Sequence, residues 1–424
     1  MSRDIRTTTL DNGMRVITDR VATVESIALG VWANVGSRHE DAAVNGSAHM
    51  VEHMLFKGTK NRNAQDIVDA IENVGGQMNA YTSREITSYH IHLLKDDADL
   101  ALDVLSDMYQ NSTLPEDELS KERHVILQEI GMCNDTPDDL IFDHFYETAY
   151  ADQAAGRPIL GPSDIVSAMP RDALNTHIQS YYTPQNTVLA ASGNLDHDDF
   201  CRRAEAYFSA MPDSKDAPYE AATYTGGERR DSKTDLEQTH VLIGFDSVSR
   251  HDPDFYAVRA MTSILGGGMS SRLFQEVREK RGLVYSVFAF SQAMQDSGLF
   301  GIYAGTGPKD IAELMPVLCD EIAKIKHDGV TEEELLRVKS QIKASLLMGQ
   351  ESMMRRADTI AKTLLHKDKA YDQNEIITKI DALTLDDIRN AAVRTLSGAP
   401  TLSAIGPLDH LLTHSDLAAR LQAA

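Results

Sequence analysis

The sequence predicts an α+β fold of two similar domains, each an antiparallel sheet with helices packed on one face. Three observations lead there. At 424 residues the chain is too long for one ordinary domain and suits two of about 200 residues. Strand-like and helix-like patterns run in the same order through its two halves. LPEDELSKERHVILQEI and VTEEELLRVKSQIKASL are the same element at corresponding places, the mark of an internal duplication.

In the first half, alternating patterns at 14–19 and 26–35 read as strands, the second running into VGSRHE. A helix follows over GSAHMVEHMLFKGT, and another in NAQDIVDAIENVGG. Strands come around 77–94, then helices at 96–111 and 116–134. After 213 the chain turns polar, and 213–235 reads as a linker between domains at 1–212 and 236–424. In the second half HVLIGFDSV is a strand, and PDFYAVRAMTSILGG and LFQEVREKR are helices. VYSVFAFSQAM and GLFGIYAGT are strands; DIAELMPVLCDEIAKIKHDG and TEEELLRVKSQIKASLLMG are helices.

Composition narrows the function. Apolar content of 42% with 25% charged residues is that of a globular protein with a large core. A net charge of −23 argues against nucleic acid or an anionic membrane as partner and favours basic substrates. Cys133, Cys201 and Cys319 are scattered, with neither metal-ligand spacing nor a disulfide framework. The opening MSRDIRTTTL has no secretory or transit-peptide pattern, and no apolar run is long enough to span a bilayer. The expectation is a protein of a reducing compartment, most simply the cytoplasm.

The chemistry concentrates in His49-x-x-Glu52-His53. On a helix, positions i, i+3 and i+4 share one face within a turn. Two imidazoles so placed hold one zinc ion, and the carboxylate between them reaches a water at the metal. Glu here precedes the second His, the inverse of the commoner zinc-peptidase order. A catalytic zinc needs a third protein ligand. Glu122 and Glu129, seven residues apart on the predicted helix at 116–134, project from one face. Glu129 can complete the set while Glu122 orients a ligating His. The same residues read without that context are a polar helix face and solvated glutamates.

With these residues in view, the chain resembles the M16 metallopeptidases, in particular their processing-peptidase branch. Besides His49, Glu52, His53, Glu122 and Glu129, the resemblance rests on NAYTSREITSYH (79–90), FDHFYETAY (142–150), GRPILGP (156–162) and LGGGMSSRLFQEVREKRGLVYSV (265–287). It runs from TTLDNGMRVI to about residue 400. It implies one zinc per chain, because the second copy's YAVRAMTSILGG offers no His. It implies that Arg278 and Tyr285 bind substrate carbonyls and support the tetrahedral intermediate, roles that suit a guanidinium and a phenol. Asn79, Ala80 and Tyr81 fall where the family presents an edge strand to the bound peptide. Asp139 and Asp143 stand where two acidic side chains hold a substrate arginine, Asp139 being shorter than the Glu usual there. Phe56 matches an aromatic on the other side of the scissile bond. Gly266-Gly267-Gly268 lacks the Lys-Ser/Thr of a phosphate loop.

The function expected is therefore zinc-dependent endopeptidase action on extended, basic peptides or unfolded segments, with Glu52 as general base. The resemblance further implies a homodimer in which His49, Glu52, His53 and Glu129 of one subunit face Arg278 and Tyr285 of the other. Two alternatives stand beside it: a non-catalytic scaffold subunit, and an active subunit that needs a distinct partner.

Overall fold

The computed structural model describes residues 3–212 and 219–423. Among them the strands are β1 (Asp4–Thr9), β2 (Arg15–Arg20), β3 (Ser26–Ala33), β4 (Gln77–Thr82), β5 (Thr87–Leu94), β6 (Thr187–Gly193), β7 (Gly227–Ser232), β8 (Thr239–Asp246), β9 (Val284–Ala293), β10 (Gly298–Thr306) and β11 (Thr401–Gly406). The helices are α1 (Ser47–Leu55), α2 (Ala64–Glu72), α3 (Ala98–Asn111), α4 (Glu116–Asn134), α5 (Pro137–Ala149), α6 (Ser163–Ala168), α7 (Arg171–Tyr181) and α8 (His197–Phe208) in the first half. They continue as α9 (Phe255–Gly266), α10 (Ile311–His327), α11 (Glu332–Met348), α12 (Met353–Lys367), α13 (Gln373–Ala382), α14 (Leu385–Leu396) and α15 (His414–Ala423). A π-helical turn spans Phe274–Glu279.

Two sheets form, in the orders β1-β2-β6-β3-β5-β4 and β7-β11-β8-β10-β9. Strand for strand, the second repeats the first without β1, and each holds one parallel pair, β2 with β6 and β7 with β11, among antiparallel neighbours. The duplication read from the helices is thus repeated in the topology, and each sheet is antiparallel but for one parallel pair. The central strands β6 and β10 are buried at every position, as strands covered on both faces must be. The edge strands β1 and β7 are largely exposed and carry Arg, Asp and Glu, which blunts them against pairing with other chains. β7 lies inside the segment expected to be a linker; of that linker, 213–218 fall outside the described residues.

The chain divides into two compact units that are discontinuous in sequence. One comprises residues 1–131, 157–220 and 347–372; the other 132–156, 221–346 and 373–424. This differs from contiguous domains at 1–212 and 236–424, for a specific reason. In the first unit Ile27, Leu29, Val31 and Ala33 of β3 point into a core shared with α1, α3 and α4. The alternate side chain, Trp32, points to the other face, where α12 packs across β2, β3 and β6 with Ala357, Ile360, Ala361 and Leu364 buried. In the second unit Val241, Ile243 and Phe245 of β8 join α9, α10 and α14. Leu242 points instead to Ile141, Phe145, Tyr146 and Ala149 of α5. Gly244 makes room there, since a Cβ would meet the Phe145 ring at 2.2 Å. Each sheet therefore has its main helical layer on one face and a single helix from the other half of the sequence on the second. Among the described residues no helix is long and apolar enough to cross a membrane.

Candidate metal centre

α1 begins at Gly46, in the left-handed region with φ 98°. A Cβ there would also approach the Leu160 carbonyl oxygen to 2.8 Å, so conformation and space both demand glycine. Met50, Val51, Met54 and Leu55 bury one side of the helix. His49, Glu52 and His53 share what is left of its middle turns. On α4, Leu119, Glu122, Ile126 and Ile130 recur every three or four residues and are buried, which seats the helix and leaves Glu129 half-exposed near its end.

The Nε2 atoms of His49 and His53 each lie 3.8 Å from Glu129 Oε2, and the two rings meet edge-on with centroids 4.6 Å apart. One ligand atom from each residue falls within a 4.8 Å cluster. Tetrahedral zinc with N and O ligands at about 2.0–2.1 Å separates them by roughly 3.4 Å, so the set fits the ion after a small contraction. Burial, then repulsion from His53, lowers His49 to about 4; its imidazole is neutral at pH 7 and has a lone pair to give. Two buried polar atoms of the pair, His49 Nδ1 and Glu52 Oε2, have no hydrogen-bond partner among the described residues.

Glu122 takes the position beside His53. Its Oε2 accepts from His53 Nδ1 at 2.9 Å and its Oε1 from Lys57 Nζ at 2.8 Å. That bond puts the proton on Nδ1 and turns the Nε2 lone pair toward Glu129. Burial alone would raise the Glu122 carboxyl, but the bonds from Lys57 and His53 outweigh it and hold it below its usual range. Lys57 was not singled out from the sequence, although it lies four residues beyond His53. Glu52 is raised by burial, with the like charge of Glu129 adding to the effect. The buried phenols of Tyr89 and Tyr182, 2.9 Å apart, are raised mainly by burial and also by the charge of Glu52. Tyr89 sits in NAYTSREITSYH, but nothing in that string marks it as a neighbour of Glu52. In the duplicate helix α11, Val338 and Ser345 replace Glu122 and Glu129.

Asn79, Ala80 and Tyr81 lie on β4, the outer strand of its sheet. Met78 and Ala80 pack toward the core that holds α1. Tyr81 turns the other way: its hydroxyl donates to Asp358 Oδ1 at 2.7 Å, and Lys362 Nζ lies 4.9 Å from its ring centre. The Tyr81 side chain is thus engaged by α12. Phe56 ends α1, half-buried, its ring 6.2 Å from that of Tyr89. Asp139 and Asp143 lie on α5 in the second unit, where Asp143 Oδ2 accepts from the Cys133 thiol at 3.8 Å. Burial and then the charges of Asp143 and Asp139 push that thiol up to about 11, which makes it inert. The second unit also carries Arg278, on the π-helical turn with its guanidinium 4.9 Å from the Phe274 ring centre, and Tyr285, on β9 and 68% exposed.

Comparison with known proteins points to a family of peptidases. Residues 15–163 match the family model described as insulinase (peptidase family M16), and residues 168–342 the one described as peptidase M16 inactive domain. An uncharacterized zinc protease of Streptomyces coelicolor is 39% identical over 412 residues, covering 95% of this chain and 90% of its own length. The uncharacterized zinc protease YmxG of Bacillus subtilis is 36% identical over 405 residues, covering 95% and 98%. Among solved structures, a protease from Helicobacter pylori has a TM-score of 0.91 at 25% identity, over 96% of this chain and 100% of that one. A chain of complex III2 from Candida albicans has a TM-score of 0.86 at 21% identity, over 98% and 99%; that likeness concerns the fold alone.

Proposed function

The chain belongs to the M16 peptidase family, and from that premise we propose that it is a zinc-dependent endopeptidase cleaving extended peptides or unfolded segments. One observation carries the reading: His49, His53 and Glu129 converge with one ligand atom each, and Glu52 stands between the two histidines on the same helix. Bound there, zinc supplies Lewis acidity toward a peptide carbonyl and a water. Glu52 accepts the proton of the attacking water and returns it to the leaving amine as the C–N bond breaks. A carboxyl raised by burial suits both transfers, holding a proton more readily than an exposed glutamate. Glu122, braced by Lys57, keeps His53 in one tautomer throughout.

The outer edge of β4 supports recognition of an extended peptide through its main chain at Asn79–Tyr81. Exposed Arg278 and Tyr285 are assigned to the substrate carbonyl and the developing oxyanion. We assign them to the facing subunit of a homodimer. Asp139 and Asp143, with the acidic chain as a whole, favour basic substrates. The free thiols Cys133, Cys201 and Cys319 support a reducing, cytoplasmic setting. The test is metal analysis with a fluorogenic peptide panel. The wild type should hold about one zinc per chain, and His49→Ala, His53→Ala or Glu129→Gln should lose both metal and activity. Glu52→Gln should keep the metal and lose hydrolysis; an active Glu52→Gln enzyme would overturn its role.

A further inference from the structure

Two segments have no part in this reading, VGSRHE and GRPILGP, and they meet at the start of α1. Glu40, the last residue of the first, is 5% exposed. Its Oε1 accepts from the Ala48 N–H at 2.6 Å; its Oε2 accepts from the Gly46 N–H at 2.8 Å and from Asn45 Nδ2 at 2.7 Å. The amides at the start of a helix have no intrahelical acceptor, and Gly46 has no side chain to supply one. Glu40 caps the helix from outside, its carboxyl oxygens accepting the amides that the helix leaves unpaired. The second segment clamps the cap: Asn45 Nδ2 also donates to the Pro158 carbonyl at 3.0 Å, and Arg157 Nη2 donates to the Glu40 carbonyl.

The two histidines are therefore held differently. His53 is fixed through its ring by Glu122. Among the described residues His49 has no partner on Nδ1, so its orientation depends on the backbone of the first turn, where Ala48 is the residue before it. We propose that Glu40 is a positioning residue for the metal centre, gripping the first turn of α1 and so setting where His49 points relative to His53 and Glu129. This rests on the reading that those three residues hold zinc.

The test uses the full chain as wild type, Glu40→Gln and Glu40→Asp. Three quantities are measured: zinc affinity by competition with a chromogenic chelator, the visible absorption of the cobalt-substituted form, and the melting temperature of the metal-free form. A Gln amide must turn its NH2 against one of the three donors. Glu40→Gln should weaken zinc binding roughly 10–100-fold, the usual effect of removing an outer support of a metal site, and change the cobalt spectrum. Glu40→Asp keeps a carboxyl with two acceptor oxygens and should recover part of both. A Glu40→Gln protein within about threefold of wild-type affinity, with an unchanged cobalt spectrum and only a lower melting temperature, would make Glu40 a support of the fold and overturn the proposal. Should Glu40→Gln fail to fold, Asn45→Ala replaces it, and unchanged affinity and spectrum there overturn the proposal equally. A wild type that binds no zinc sinks the metal-site reading itself, an outcome distinct from variants that bind as well as the wild type.

Discussion

Replacing Glu122 by Gln isolates the support of His53 from the ligand itself. The carboxylate is buried and serves two donors at once, His53 Nδ1 at 2.9 Å and Lys57 Nζ at 2.8 Å. A Gln side chain offers one carbonyl oxygen and so keeps one of these bonds, while its NH2 faces the other donor. Losing a hydrogen bond to a charged group costs about 1.5–3 kcal/mol. The 10–100-fold loss of metal affinity typical of such substitutions corresponds to about 1.4–2.8 kcal/mol, so the two estimates agree. Chelator competition should show that loss, and hydrolysis of a fluorogenic peptide at limiting zinc should fall in step and recover as zinc is added. Lys57→Met leaves the His53 bond in place and should have the smaller effect, since Lys57 is partly solvated. Zinc affinity unchanged in Glu122→Gln would refute the view that Glu122 acts through His53. A loss of activity that excess zinc does not restore would refute it as well.

Three further outcomes are expected. Separately inactive Glu52→Gln and Tyr285→Phe chains, mixed under proven subunit exchange, should recover roughly one quarter of wild-type activity, because half the dimers then hold one intact site; no recovery would place the whole site in one chain. Asp143→Asn should raise KM for peptides with an arginine just upstream of the cleaved bond and leave other peptides alone; an equal change in both classes counts against the acidic pocket. His177, packed against Tyr181, Tyr182 and the Ser47 hydroxyl, is lowered to about 3 by burial and then by the charge of His39. Unfolded histidine titrates near 6.5, so the unfolded chain takes up the proton first. The stability this gives is complete above that value and drains as pH falls toward 3. At pH 5 the difference is about 2 kcal/mol. Urea unfolding at pH 7 and pH 5 should show wild type losing about that much more than His177→Gln, and equal losses would disprove the assignment.

How much of this was legible in the sequence depended on distance along the chain. His49, Glu52 and His53 lie within one helical turn, and Glu129 is two turns from Glu122, so helical spacing alone aligned them. The duplication was visible because whole helices repeat. Lys57 was missed because it lies just past the end of α1, where helical spacing no longer applies. Tyr182 reaches Tyr89 only through the fold, 93 residues away in sequence. The parallel pairing of β2 with β6 joins residues more than 170 positions apart, and nothing local in either strand marks the direction of its partner. GERRDS reads as linker because it is charged and polar; β7 is a strand through main-chain pairing with β11, at the edge of its sheet. That α5 and α12 each cover the sheet of the other half is likewise hidden, since both read as ordinary amphipathic helices and carry no sign of which sheet they cover.

The placement of α12 has a consequence for synthesis. Trp32, fully buried, lies on the face that α12 covers and donates its Nε1–H to Asp358 at 3.1 Å. The helix that closes this face is not made until residue 367, long after the rest of the first unit has left the ribosome. Until then the nascent unit carries an uncovered apolar sheet face, the kind of surface through which partly folded chains aggregate. Contacts closed over more than 300 residues also slow folding, because the loop must be ordered before the contact rewards it. The first unit, which holds His49, His53 and Glu129, is thus complete only when nearly the whole chain exists, and a chain truncated before α12 would leave that face uncovered.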